Sequence, residues 1–131
     1  MSVEGLVAAG RRAALALMRD TCVIERASGE RVFDPSTGQY TQAWETVYTG
    51  PCRVKQTGGT AETPYGDAQS ITLHRYEVRL PWTAAPQVQR EDRMTVTTSD
   101  DTWLVGRPLE VVDVGFASTG MARRLVVEDK A

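Results

Sequence analysis

His74 is the single histidine of this chain and its most obvious candidate for a general base. A base needs a nucleophile within hydrogen-bond reach. No Ser or Cys occupies a strand-to-helix elbow, and the alternating run around His74 is that of a strand. Cys22 and Cys52, with His74 as the one further soft ligand, fall short of the four that a structural zinc needs. Both cysteines lie in strand-like runs and are expected as buried thiols acting as small hydrophobes; a disulfide would need their Cα atoms within about 7 Å. Adjacent carboxylates at Glu91-Asp92 and Asp100-Asp101 point to opposite faces of a strand, and Asp92, Asp100 and Asp101 lack the spacing of a calcium loop. Gly58-Gly59 is not followed by the Lys-Ser/Thr of a phosphate loop. The reading is therefore of no catalytic residue, no metal and no cofactor.

The elements that carry these residues are mostly strands. Thr21-Cys22-Val23-Ile24-Glu25-Arg26 is a first run rich in β-branched residues. Arg31-Val32-Phe33 and Gln39-Tyr40-Thr41 flank Asp34-Pro35-Ser36-Thr37-Gly38, where early proline and late glycine form a bulged hairpin turn. Residues 44–48 continue the pattern, and Pro51 implies a strand start or an edge. In residues 71–80, Tyr76, Val78 and Leu80 fall on one face and Arg75, Glu77 and Arg79 on the other. Pro81 and Pro86 bracket a connection. Met94, Val96 and Thr98 share a face, and after the polar turn at 99–101 come Trp103-Leu104-Val105, then residues 109–114 and a last strand at 123–128. Trp103, between strand residues, is expected in the core.

Between Lys55 and Ile71 the pattern stops. Residues 57–69 read as a glycine-bearing loop far longer than a hairpin needs, and loops of about 12–15 residues are uncommon in compact domains unless functional or disordered. Glu62 and Asp67 give this loop negative charge and it holds no lysine or arginine, so it would repel phosphates rather than grip them. Gly58, Gly59 and Gly66 permit movement, and Tyr65 offers an apolar contact.

At the start of the chain, Val3, Leu6, Val7, Gly10, Ala14, Leu17 and Met18 recur at helical spacing after Ser2, a plausible N-cap. Glu4 and Arg11-Arg12 argue against a targeting signal, and no apolar run approaches a membrane span. This weak stripe would pack on its own domain or on a neighbouring subunit. With 41% hydrophobic and 24% charged residues and a net charge of −2, the chain reads as globular and lacks the excess of positive charge that a broad nucleic-acid-binding face needs. The expected fold is mainly β: an N-terminal helix over residues 1–20, then one small barrel or sandwich over 21–131 with the long loop at 57–69.

The order of short motifs adds a resemblance over nearly the full length. The opening Met1-Ser2-Val3-Glu4-Gly5-Leu6 helix, Asp34-Pro35-Ser36-Thr37-Gly38, Tyr48-Thr49-Gly50-Pro51-Cys52-Arg53-Val54, Val78-Arg79-Leu80-Pro81-Trp82, Leu104-Val105-Gly106-Arg107 and Ala122-Arg123-Arg124-Leu125 come in family order. The chain resembles the small head-tail connector proteins of tailed actinobacterial phages, which are similar to head-closure or stopper proteins. The resemblance implies a virion protein, assembled in the host cytoplasm as a homo-oligomeric ring at the head-tail interface. Its partners would be the portal or adaptor, the tail proteins, and passing double-stranded DNA held without sequence-specific binding; no membrane is involved. By that analogy Gly58, Gly59, Glu62, Tyr65, Gly66 and Asp67 would form a channel loop, and Val3, Leu6, Val7 and Trp82 would meet neighbouring subunits. Two alternatives stand beside it: an adaptor or tail-completion protein of the same neck, and a small host β-barrel that binds a ligand or peptide.

Overall fold

The computed structural model describes residues 2–65, 69–84 and 86–129, with backbone alone over 58–65 and 69–73. One helix, α1 (Val3–Ala16), precedes six strands: β1 (Asp20–Asp34), β2 (Gln39–Tyr65), β3 (Gln69–Pro81), β4 (Arg93–Thr98), β5 (Pro108–Gly115) and β6 (Ala122–Asp129). The strands close into an antiparallel barrel in the order β1-β2-β3-β6-β5-β4. Closure is completed by β1 against β4, with Thr21 opposite Thr98 and Glu25 opposite Arg93.

The period-2 pattern builds the core. Cys22 and Ile24 of β1, Val78 and Leu80 of β3, Met94 and Val96 of β4, Leu109 and Val111 of β5, and Leu125 and Val127 of β6 are all buried inside. A barrel this narrow is filled by its own side chains. Each such residue contributes about 1.5–3 kcal/mol when fully buried. Both cysteines are free and fully buried, as expected of small hydrophobes. A hydrogen bond with the neighbouring Cys52 thiol, together with burial, pushes the Cys22 thiol upward, which keeps it protonated and unreactive.

Pro51, expected at a strand start or edge, lies within β2 opposite Thr21. It is nonetheless a local edge, because β2 begins pairing with β3 only at Arg53. The turn at 34–38 forms as its residues dictate. Gly38 takes φ 71° and donates its N–H to the Asp34 carbonyl at 2.8 Å, while Asp34 Oδ1 accepts from the Ser36 N–H.

Two sequence expectations change. Trp103 is 82% exposed rather than in the core, because residues 102–106 form a turn and β5 starts only at Pro108. Asp101 holds that turn by accepting the Trp103 N–H. The second change concerns residues 57–69. Residues 57–65 are not a loop: β2 runs on to Tyr65 and pairs with β3 from Thr60 opposite His74 to Tyr65 opposite Gln69. Gly66 and Asp67 lie outside the described residues.

The connection from β3 to β4 is tied down by one buried carboxylate. Asp92 is 2% exposed and receives both forks of Arg26, each at 3.0 Å, together with the Gln89 N–H at 2.8 Å. Arg26 also donates to the Gln87 carbonyl. The adjoining Glu91 takes a φ of 75°, which a side chain rarely adopts, and its backbone N–H is held by the Val111 carbonyl. Replacing Arg26 by methionine keeps much of the packing but leaves Asp92 buried without its counter-charge. It is expected to cost about 2–3 kcal/mol, read as a lower urea midpoint at unchanged slope. A change below half a kcal/mol would show that the ion pair does not hold the connection.

Candidate functional site

β2 spans 27 residues, far more than the height of the barrel requires. Only its central part is barrel wall, and at each end it continues into a hairpin. The first hairpin arm joins the outer half of β1 to the start of β2, with Arg31 opposite Gln42, Val32 opposite Thr41 and Phe33 opposite Tyr40. The second joins the far end of β2 to the start of β3. At about 3.3 Å per residue, each arm reaches roughly 15–20 Å beyond the wall.

Both arms leave the barrel through a bulge. Between Ala27 and Arg31, β1 advances four residues while its partner advances two, from Trp44 to Gln42. Gly29 supplies a φ of 81° there, and Ser28 and Gln42 stitch the bulge by donating to the Ala43 carbonyl. The second bulge has the same count: β2 advances from Gln56 to Thr60 while β3 moves from Tyr76 to His74. Gly58 and Gly59 fall inside it, and the Thr57 hydroxyl donates to the Arg75 carbonyl at its edge. In sequence these glycines read as hinges of a loop. They mark instead the point where a paired arm departs from the wall. A glycine pair inside a strand is the signal that could have located it.

The first arm ends in an apolar tip. Phe33 and Tyr40 stack across the hairpin with ring centroids 5.3 Å apart, and both are exposed, as is Val32. Beyond the wall neither arm has a second neighbour for its outer edges among the described residues, because β4 pairs with β1 only over Thr21–Glu25 and β6 with β3 only from His74.

His74 stands exposed where the second arm begins. It borders an open cleft of about 520 Å³ with Tyr76, Asp101, Trp103, Arg107 and Asp129. The two carboxylates there are engaged: Asp101 accepts the Trp103 N–H, and Asp129 accepts from Arg107 at 3.1 Å. Asp92 and Asp100, the other members of the carboxylate group considered from sequence, pair with Arg26 and Arg19. Among the described residues no cluster of metal-ligating side chains assembles, and no described helix is long and apolar enough to cross a membrane.

The helix is attached lightly. Ser2 caps it by accepting the Gly5 N–H at 3.0 Å, as expected. None of its residues is fully buried, and Val3 and Leu6 are 72% and 58% exposed while Val7 is half-buried. Trp82 is the fastening. Arg11 of the helix and Arg123 of β6 lie over its ring at 4.9 and 3.9 Å, and Gly120 backs it so closely that a Cβ there would meet the ring at 2.5 Å. Arg11 also donates to the Gly120 carbonyl. Trp82 thus spends its ring within the chain, whereas Val3 and Leu6 stay exposed. Such cation–π stacking is not readable from spacing in sequence.

On the outer wall, Glu77 receives both Arg79 and Arg124 at 3.0 Å. Burial opposes its charge, but these two guanidinium groups outweigh burial and lower its pKa below the ordinary 4.5.

The chain belongs to a family of unknown function (DUF6093), whose model matches residues 10–128. It is also similar to the solution structure of protein SF1141 from Shigella flexneri 2a. The two share 18% identity over 87% of this chain and 94% of that one, with a TM-score of 0.56. At that identity the likeness shows the fold alone. No curated protein matches the chain.

Two outcomes test this geometry. Replacing Trp82 by alanine is expected to speed amide exchange across α1 while the barrel stays protected; equal loss in the barrel would make Trp82 a core residue rather than a fastening. Because the Glu77 carboxyl is held below its unfolded value, its contribution is full above about pH 4.5 and lost as pH falls through the folded value. Glu77→Gln should therefore flatten the acid limb of the stability curve, and an unchanged acid limb would count against the network.

Proposed function

We propose that this DUF6093 chain is a structural protein of a phage neck. In this reading, copies form a ring between portal or adaptor and tail, close the DNA channel after packaging, and give the tail a platform. The observation that supports it most is the course of β2, one continuous strand that carries an arm at each end of its wall segment. A subunit that must contact components above and below a ring needs reach in both directions from a rigid body. The barrel supplies the body, and a bulge at each arm's base re-aims the strands without opening the wall.

Charge supports the same reading for the second arm. Residues 57–73 contain Glu62 and Asp67 and no lysine or arginine. Arms from several copies converging on a channel would therefore oppose phosphate binding, which suits a closure that must later release DNA. The resemblance of its ordered motifs to those of actinobacterial-phage head-tail connector proteins adds its weight. A second reading, a small ligand-binding barrel, is favoured by the cleft beside Trp103 and His74.

The arm itself provides the test. Residues 58–73 are replaced by Asn-Gly, a two-residue hairpin turn joining Thr57 to His74. Particles assembled with this variant are expected to lose packaged DNA although the barrel folds. Particles that keep their DNA and attach tails normally would sink the closure role. A wild-type chain absent from purified particles would overturn the neck assignment and leave the ligand-binding barrel.

A further inference from the structure

The outer wall of the barrel divides into two halves of opposite charge. Strands β2, β3 and β6 are consecutive in the wall. In their register Arg53, Arg79 and Arg124 form one row across three strands, with Lys55 in the next row and Arg75 in the one after. Glu77 and Glu128 oppose these five cations within those rows, and Glu45 lies farther along β2, opposite Arg26 of β1. The carboxylates lie beneath: Glu77 and Glu128 are 12% and 7% exposed, whereas Arg75, Arg79 and Arg124 are 47%, 41% and 65% exposed. What this half offers to solvent is guanidinium and ammonium. The helix contacts the same half, through β3 and β6, and adds the exposed Arg12.

The other half, β5, β4 and β1, has the reverse sign. On the wall, Glu25 of β1, Glu91 at the entry to β4, and Glu110 and Asp113 of β5 outnumber the cations, which are Arg26, spent on the buried Asp92, Arg90, which donates to the Val112 carbonyl of β5, and Arg93. Arg93 is half covered and turned inward on itself, bonded to Glu25 at 3.2 Å and lying 3.8 Å over the Trp44 ring. Because each half is three consecutive strands of a six-stranded wall, the two faces look in opposite directions.

We propose that copies of this chain associate head to tail, the β2–β3–β6 face of one against the β5–β4–β1 face of the next. Opposed faces of opposite sign make a heterologous contact, the kind that closes into a ring when the rotation permits. Like-to-like contact would cost several kcal/mol, so the charge pattern also excludes a two-fold pairing of either face. The area is available: about 800 Å² per partner suffices for a standard interface, under a tenth of the 8851 Å² surface. This inference rests on the ring reading and names the surfaces that such a ring would use.

A charge swap tests it by sedimentation at low and high salt. One variant carries Arg53→Glu and Lys55→Glu, two cations with no ion pair to break among the described residues. The other carries Glu91→Lys and Asp113→Lys. Wild type is expected to associate in low salt and to dissociate as salt screens the faces. Each variant alone should associate at least about tenfold more weakly, since its two faces now share a sign. Mixed in equal amounts, the variants should recover association, because every contact again joins opposite signs. Circular dichroism confirms that each variant folds. Wild type that stays monomeric in low salt overturns the proposal. Association that neither salt nor either variant weakens also overturns it, yet leaves a ring built on other surfaces standing. Weakening of both variants without recovery in the mixture counts against the pairing of these two faces.

Discussion

Everything in this chain depends on the closure of its wall. The pairing of β1 with β4 over Thr21–Glu25 turns six strands into a cylinder and removes the free edges that an open sheet would present. Closure also fixes which residues face in. Once Cys22 and Ile24 point inward beside Met94 and Val96, every alternate residue of the wall must be polar or tolerate water. It fixes length as well. A closed wall has a finite height, so a 27-residue strand must leave it at both ends. The arms are the consequence of a short barrel and a long strand.

Ion pairs then fasten what closure does not. The end of β6 carries Glu128 and Asp129, both nearly buried, and each is held by an arginine from another element: Arg75 of β3 and Arg107 of the β4–β5 turn. Asp92 does the same for the β3–β4 connection through Arg26. In each case the carboxylate is buried and the arginine is partly wet, an arrangement that avoids the full desolvation of both charges. A planar fork suits this role better than a lysine, because it bonds the carboxylate and a backbone carbonyl together, as Arg26 does with Asp92 and Gln87.

Where the chain packs against the core, its sequence was readable. Tyr76, Val78 and Leu80 alternate against Arg75, Glu77 and Arg79, and the structure turns those two sets in and out as the alternation implies. The turn from Asp34 to Gly38 was legible because its chemistry is local. Trp103 was misread because a large aromatic between apolar neighbours mimics a strand, whereas Asp101 folds it into a turn by one side-chain bond. The second arm was misread for a deeper reason. Strand identity is written in sequence by the need to bury one face, and a strand that has left the wall has no core to write that pattern. What remains is turn-like composition, and only the register shows that residues 60–65 and 69–74 are paired. The charge halves were hidden for a related reason: they depend on strand order, which places β6 next to β3 and so sets Arg124 beside Arg79 and Arg53.

Stability and contact are thereby separated in the molecule. A two-stranded hairpin is marginally stable by itself in water, so the course of each arm beyond its bulge is governed by what it meets. The barrel has no such dependence, since its core and its ion pairs are complete within one chain. The exposed apolar groups of the chain fall mostly off the wall: Phe33 and Tyr40 on the first arm, Trp103 on a turn, Val3 and Leu6 on the helix. The wall keeps its charges. Exposed apolar groups and charged faces therefore occupy different parts of the surface. In the proposed ring, charged faces would orient copies around the barrel at a distance, and apolar tips would engage only after that orientation is set. An assembly built this way would be selective at the approach and tight at the tips, with the arms ordered last.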